Sequence, residues 1–170
     1  VIALLAGTTV LAQVPKGAHA HTAPPSQQQQ ATHDTVAVQV MLDRAGFSPG
    51  VIDGQPGANL KRALTAFQHA NGLAESGTVD DQTRQRLSAS SGSAAPLTEY
   101  AVRDVDVAGP FTEKIPADLV EQSKLQALGY QSAVEAIAER FHTSPQFLQR
   151  LNAGASFSKA GEQIQVPNVE

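Results

Sequence analysis

Large apolar residues recur along the first half of this chain in helical stripes, each closed by glycine. Val38, Met41, Leu42 and Ala45 fall at i, i+3, i+4, i+7, the spacing of a core-facing helix. Gly46 suits the left-handed residue that ends such a helix. Ser48-Pro49-Gly50 and Asp53-Gly54 then predict a turn-rich loop. Leu60, Ala63, Leu64 and Phe67 repeat the stripe, with Asn59 as the expected N-cap and Asn71-Gly72 as the stop. Gly77 predicts a turn, and Asp80 caps a third helix closed by Leu87. Together these signals predict a compact helical unit over residues 35–88.

The second half mixes two periods. Tyr100 and Val102 alternate with polar neighbours, as in a strand. Ser132 and Glu135 form a capping-box pattern ahead of Val134, Ile137, Ala138 and Phe141, one face of a helix. Ser144-Pro145 starts another helix, which buries Phe147, Leu148 and Leu151 and stops at Asn152. Gly161 turns the chain into Gln163-Ile164-Gln165-Val166, a strand stopped by Pro167. Residues 97–169 therefore predict a βααβ unit, interrupted at 103–131 by an insertion with its own helix from Pro116 to Leu128. Within that insertion, Asp104-Val105-Asp106 hints at calcium but lacks further oxygen ligands, and reads as an exposed strand edge. The fold class is mainly α with a small α+β part.

The flanks lack this periodicity. Residues 89–96 are small and polar, and read as a flexible linker. Residues 21–34, with Pro24-Pro25-Ser26 and Gln27 to Gln30, predict a disordered tether with too little apolar surface to offset its ordering entropy. Ile2 to Ala12 is apolar, uncharged and too short to span a bilayer. Residues 1–20 read as a secretory signal that has lost its basic start, with cleavage expected after Ala12 or Ala20. The one methionine is Met41, so the sequence is not expected to begin at a start codon.

Composition narrows the chemistry. There are no cysteines, hence no disulfide, thiolate nucleophile or Cys-type zinc site. A formal charge of -4 gives no electrostatic footprint for nucleic acid. No stable membrane span is expected after signal removal. A glycosidase needs two carboxylates across a cleft, but Asp80 has a capping task and Asp81 suits a first helical turn. His19-Ala20-His21 offers at most a weak metal contact, and His69 and His142 lack partners at ligand spacing. No cofactor or metal is expected.

The run Val38-Gln39, Leu42, Gly46-Phe47, Gly50, Asp53-Gly54, Phe67-Gln68, Asn71-Gly72-Leu73, Gly77 and Leu87 resembles the three-helix peptidoglycan-binding domain of bacterial cell-wall enzymes. Pro56 and Leu60 depart from that family's usual large apolar residue and threonine. The resemblance implies peptidoglycan as partner and an exported protein, in the periplasm or cell wall. Asp53, Gly54, Gln68 and Asn71 are the polar positions it singles out. They could meet the wall polymer. Alternatively, Asp53-Gly54 makes a turn, Gln68 bonds a loop backbone and Asn71 stops a helix.

Tyr100-Ala101-Val102, Ala136 to Phe141, Leu148, Leu151-Asn152 and Gly161 to Pro167 are similar to the LysM carbohydrate-binding fold. The long insertion departs from it, and His142 stands where that family usually has glycine. The whole order resembles the front half of exported L,D-transpeptidases. This implies a catalytic domain beyond Glu170 that works through a cysteine thioester, and a chain that is not itself an enzyme. Two alternatives are a self-contained wall protein and a structural spacer. The spacer would dock on the catalytic domain through Leu119, Val120, Leu125 and Leu128.

Overall fold

A computed structural model describes residues 26–112, 117–123 and 129–169. The expected signal and the tether up to residue 25 lie outside them. The described chain is mainly helical with one small antiparallel sheet.

The first unit packs α1 (Gln27–Arg44), α2 (Ala58–Ala70) and α3 (Asp81–Ser91) around Val38, Leu42, Leu60, Leu64, Phe67 and Leu87. Phe47 meets Phe67 edge-on, with ring centres 5.3 Å apart. The glycine stops hold: Gly46, Gly72 and Gly77 all have positive φ. Asp80 caps α3, accepting from the Thr83 amide at 2.7 Å. Asn59 does not cap α2. The helix starts at Ala58 with Gly57 at the cap position, and the Asn59 side chain accepts from Arg62 instead.

The tether expectation fails over residues 26–34, which form the start of α1. Ser26 Oγ accepts from the Gln29 amide, and the Gln29 side chain accepts from the Ser26 amide at 2.8 Å, a reciprocal cap. Glutamine is a fair helix former once a cap and a buried face support it. That face is supplied further on, where Val36 and Val40 pack against the second unit.

The second unit places β1 (Leu97–Ala101) antiparallel to β2 (Gln163–Pro167), with Tyr100 opposite Ile164. The insertion supplies α4 (Asp104–Val107) and α5 (Leu119–Ser123), and α6 (Ala133–Arg140) and α7 (Pro145–Leu151) follow. Val102, Ile137, Phe141, Leu148, Ile164 and Val166 form the core. Ser132 and Ser144 cap their helices as expected. Glu135 reaches back to the Gln131 amide, one residue before the cap. Of the helix expected over Pro116–Leu128, Leu119–Ser123 is helical; 113–116 and 124–128 lie outside the described residues.

Asp104-Val105-Asp106 is a helical turn, not a strand edge. Asp106 is buried and accepts from the Arg103 amide at 2.8 Å and from the Tyr100 hydroxyl, while Arg140 lies 3.2 Å away. Three groups converging on one carboxylate turn the chain inward where an edge would have continued.

The two units share a core. Val36, Val40 and Ile52 from the first enclose Phe147 from the second, with Leu97, Leu151 and Val169 alongside. The Ile52 amide donates to His142 O at 2.8 Å, and Thr143 Oγ1 donates to Ile52 O. Arg44 donates to three carbonyls: Asn168 at 2.6 Å, and Ala94 and Ala95 at 2.9 Å each. The expected linker is thus partly helix, to Ser91, and partly pinned, since Asn168 also bonds Pro96 O and Ala95 O.

Candidate functional site

Asp53 and Gly54 sit in the loop between α1 and α2, and a buried glutamine organises them. Gln39 lies on α1 between Val38 and Val40 and is 2% exposed. Its Oε1 accepts from the Gly54 amide at 2.9 Å and from the Asp53 amide at 3.3 Å. Its Nε2 donates to Asp53 Oδ1 at 3.1 Å and to Val51 O at 3.3 Å. Asp53 Oδ1 also takes the Gln55 amide at 2.9 Å, closing a turn. Gly54 has φ +73, and a Cβ there would stand 2.6 Å from Thr32 Cγ2. Asp53 is half-buried and borders a shallow depression of about 370 Å³ with Val51, Gln55 and Asn59.

Gln68 and Asn71 occupy the end of α2. Gln68 is fully buried. Its Nε2 faces Thr78 O at 2.8 Å, Thr83 Oγ1 at 3.0 Å and Ser76 Oγ at 3.2 Å, and its Oε1 accepts from the Gly77 amide at 2.8 Å. One side chain thereby holds the whole loop from α2 to α3. Asn71 Nδ2 donates to Phe67 O at 2.8 Å, and its Oδ1 accepts from Arg86 Nε at 2.9 Å. Asn71 and Arg86 border a second depression, about 560 Å³, with Gln82 and Gln85.

The four positions therefore form two separate pairs. Asp53 and Asn71 reach the surface. Gly54 and Gln68 shape loops from beneath. The roles of two residues escaped the sequence reading. Gln39 carries a signal, a glutamine flanked by valines beside a core stripe. Arg86 carries none, because its role depends on α3 meeting the end of α2.

The outer face of α2 adds a third and broader depression, about 780 Å³, lined by Lys61, Arg62, Thr65 and His69 with Glu75. His69 Nδ1 and Glu75 Oε1 are 2.7 Å apart. The loop at Gly77 lies close over this face, since a Cβ there would meet Lys61 Cγ at 2.7 Å. Amide, hydroxyl and charged groups border these open depressions, whose surfaces are largely apolar on the outer face of α2. Among the described residues, no helix is long and apolar enough to cross a membrane.

No curated protein matches this chain. Residues 32–87 match the family model of a peptidoglycan binding domain, which supports a non-catalytic, cell-wall-binding role for this stretch.

Proposed function

We propose that this chain is the wall-binding part of an exported murein L,D-transpeptidase. Its first unit holds the protein on peptidoglycan. The family match over residues 32–87, on a stretch that folds as three packed helices, carries the wall-binding part of this reading. Asp53 and Asn71 contact the polymer, while Gly54 and Gln68 set the loops that present them. The second unit is LysM-like. The order β1, α6, α7, β2 and the left-handed backbone of His142, φ +52 where a glycine is usual, support this assignment. Anchoring raises the effective concentration of a tethered enzyme near its polymeric substrate even when each contact is weak.

Sedimentation of the 170-residue chain with insoluble peptidoglycan tests the anchor. The wild type should co-sediment, Asp53→Ala and Asn71→Ala should be retained less, and an unfolded Phe67→Ala control should stay in solution. Equal retention of wild type and control would remove the proposal. Reading the gene beyond Glu170 tests the parentage: a domain carrying paired catalytic cysteine and histidine supports it, and an immediate stop codon refutes it.

A second reading, a spacer that docks on a catalytic domain, draws on Leu119 and Val120. They are 78% and 64% exposed on α5. Leu125 and Leu128, the rest of the expected strip, lie outside the described residues.

A further inference from the structure

We infer that the seam between the two units is a subsite for the peptide stems of peptidoglycan, with Arg150 as the carboxylate receptor. This rests on the wall-binding reading above. A groove of about 330 Å³ runs between the first turns of α1, the start of β1 and α7. Its floor is Val36, Leu97, Phe147 and Leu151, side chains of the shared core. Its rim is polar: Gln28, Thr32, His33 and Arg150. That volume lies at the small end of ligand sites, roughly 300–1,000 Å³, and fits a few small residues rather than a helix or sugar chain.

Charge selects the occupant. The Arg150 guanidinium lies 5.7 Å from the centre of the Phe147 ring. Among the described residues, Arg150 forms no ion pair, and none of those lining the groove is acidic. An exposed, fork-shaped cation over an apolar floor matches a carboxylate beside methyl-sized side chains. Peptidoglycan stems, short alanine-containing peptides with free carboxylates, have that chemistry. Bare glycan strands offer hydroxyls and few apolar groups. The chain's own residues 1–25 contain no Asp or Glu and cannot supply the anion from a side chain. Because both units build the groove, neither alone would hold this subsite.

Calorimetric titration of the full chain with a soluble stem tetrapeptide decides the matter. Wild type should bind, Arg150→Ala should bind about tenfold more weakly, and Arg150→Lys should fall between. Both variants should keep the wild-type melting temperature, since Arg150 is exposed. Failure of wild type to bind the tetrapeptide overturns the proposal, as does equal binding by Arg150→Ala. Equal affinity for a peptide-free disaccharide, or equally strong competition by polyphosphate, also overturns it. If Arg150→Ala changes only the melting temperature, the arginine merely covers Phe147 and the last turn of α7. Sedimentation with insoluble peptidoglycan is read separately. Its loss in wild type removes the anchor proposal, and its persistence in Arg150→Ala shows that the first unit binds without the groove.

Discussion

Single side chains in this protein act as bolts through loops. Gln68 occupies a position where one amide satisfies the Gly77 amide and the Thr78 carbonyl at once. Gln68→Ala leaves those groups buried or forces water inward, so denaturant unfolding should show a loss of about 3 kcal/mol. Tyr100 is a second case. Burial, reinforced by its bond to the Asp106 carboxylate, pushes its hydroxyl up to about 12 from 10.0. The folded state thus holds this proton more tightly than the unfolded chain does. The stabilisation is fully present below pH 10 and is lost as pH rises from 10 towards 12. The chain has two tyrosines, so a Tyr130→Phe background isolates Tyr100 for ultraviolet titration. Asp106→Asn should lower the midpoint; an unchanged midpoint would show that the carboxylate does not contribute.

Among the helices, caps divide into those local enough to read from sequence and those that are not. Asp80, Ser132 and Ser144 are three-residue signals, and each closes its helix as expected. The Thr83 hydroxyl and amide hold the Asp80 carboxyl below its ordinary value of 3.8. Its share of stability is present above that pH and should fade as pH drops through the lowered value, a decline that Asp80→Asn should abolish in acid melting curves. Ser144→Ala should cost about 1 kcal/mol by thermal unfolding. The apolar stripes of α1, α2, α6 and α7 were legible because helical period alone fixes which face is buried. The start of α1 was not. Gln27 to Gln30 carry no periodic signal, and the valines that draw the helix together pack against residues more than a hundred positions away. Asn59 misled for the opposite reason: it is a good cap in isolation, but Gly57 already occupies that place. Of the candidate contacts, Asp53 and Asn71 were legible as surface turns. The loop-bracing roles of Gln39 and Arg86 depended on tertiary meetings that no local pattern records.

Across the whole molecule, the separate domains suggested by the sequence meet through Arg44, the Ile52–Thr143 bridge and the Phe147 cluster. Scanning calorimetry should therefore give one cooperative transition for the intact chain. Arg44→Ala takes a donor from three carbonyls, of which Ala95 O keeps the Asn168 side chain, and should cost about 2 kcal/mol, broadening or splitting the transition. Two resolved transitions in wild type would show that the seam contributes little.

The seam also governs direction. A flexible string would let the second unit sweep a sphere around the first. With Arg44 clamping Ala94, Ala95 and Asn168, the heading of the chain at its far end is set by how the first unit grips the wall. Reach and angle then become properties of the fold, and the second unit would work over a narrow arc of whatever the first unit holds.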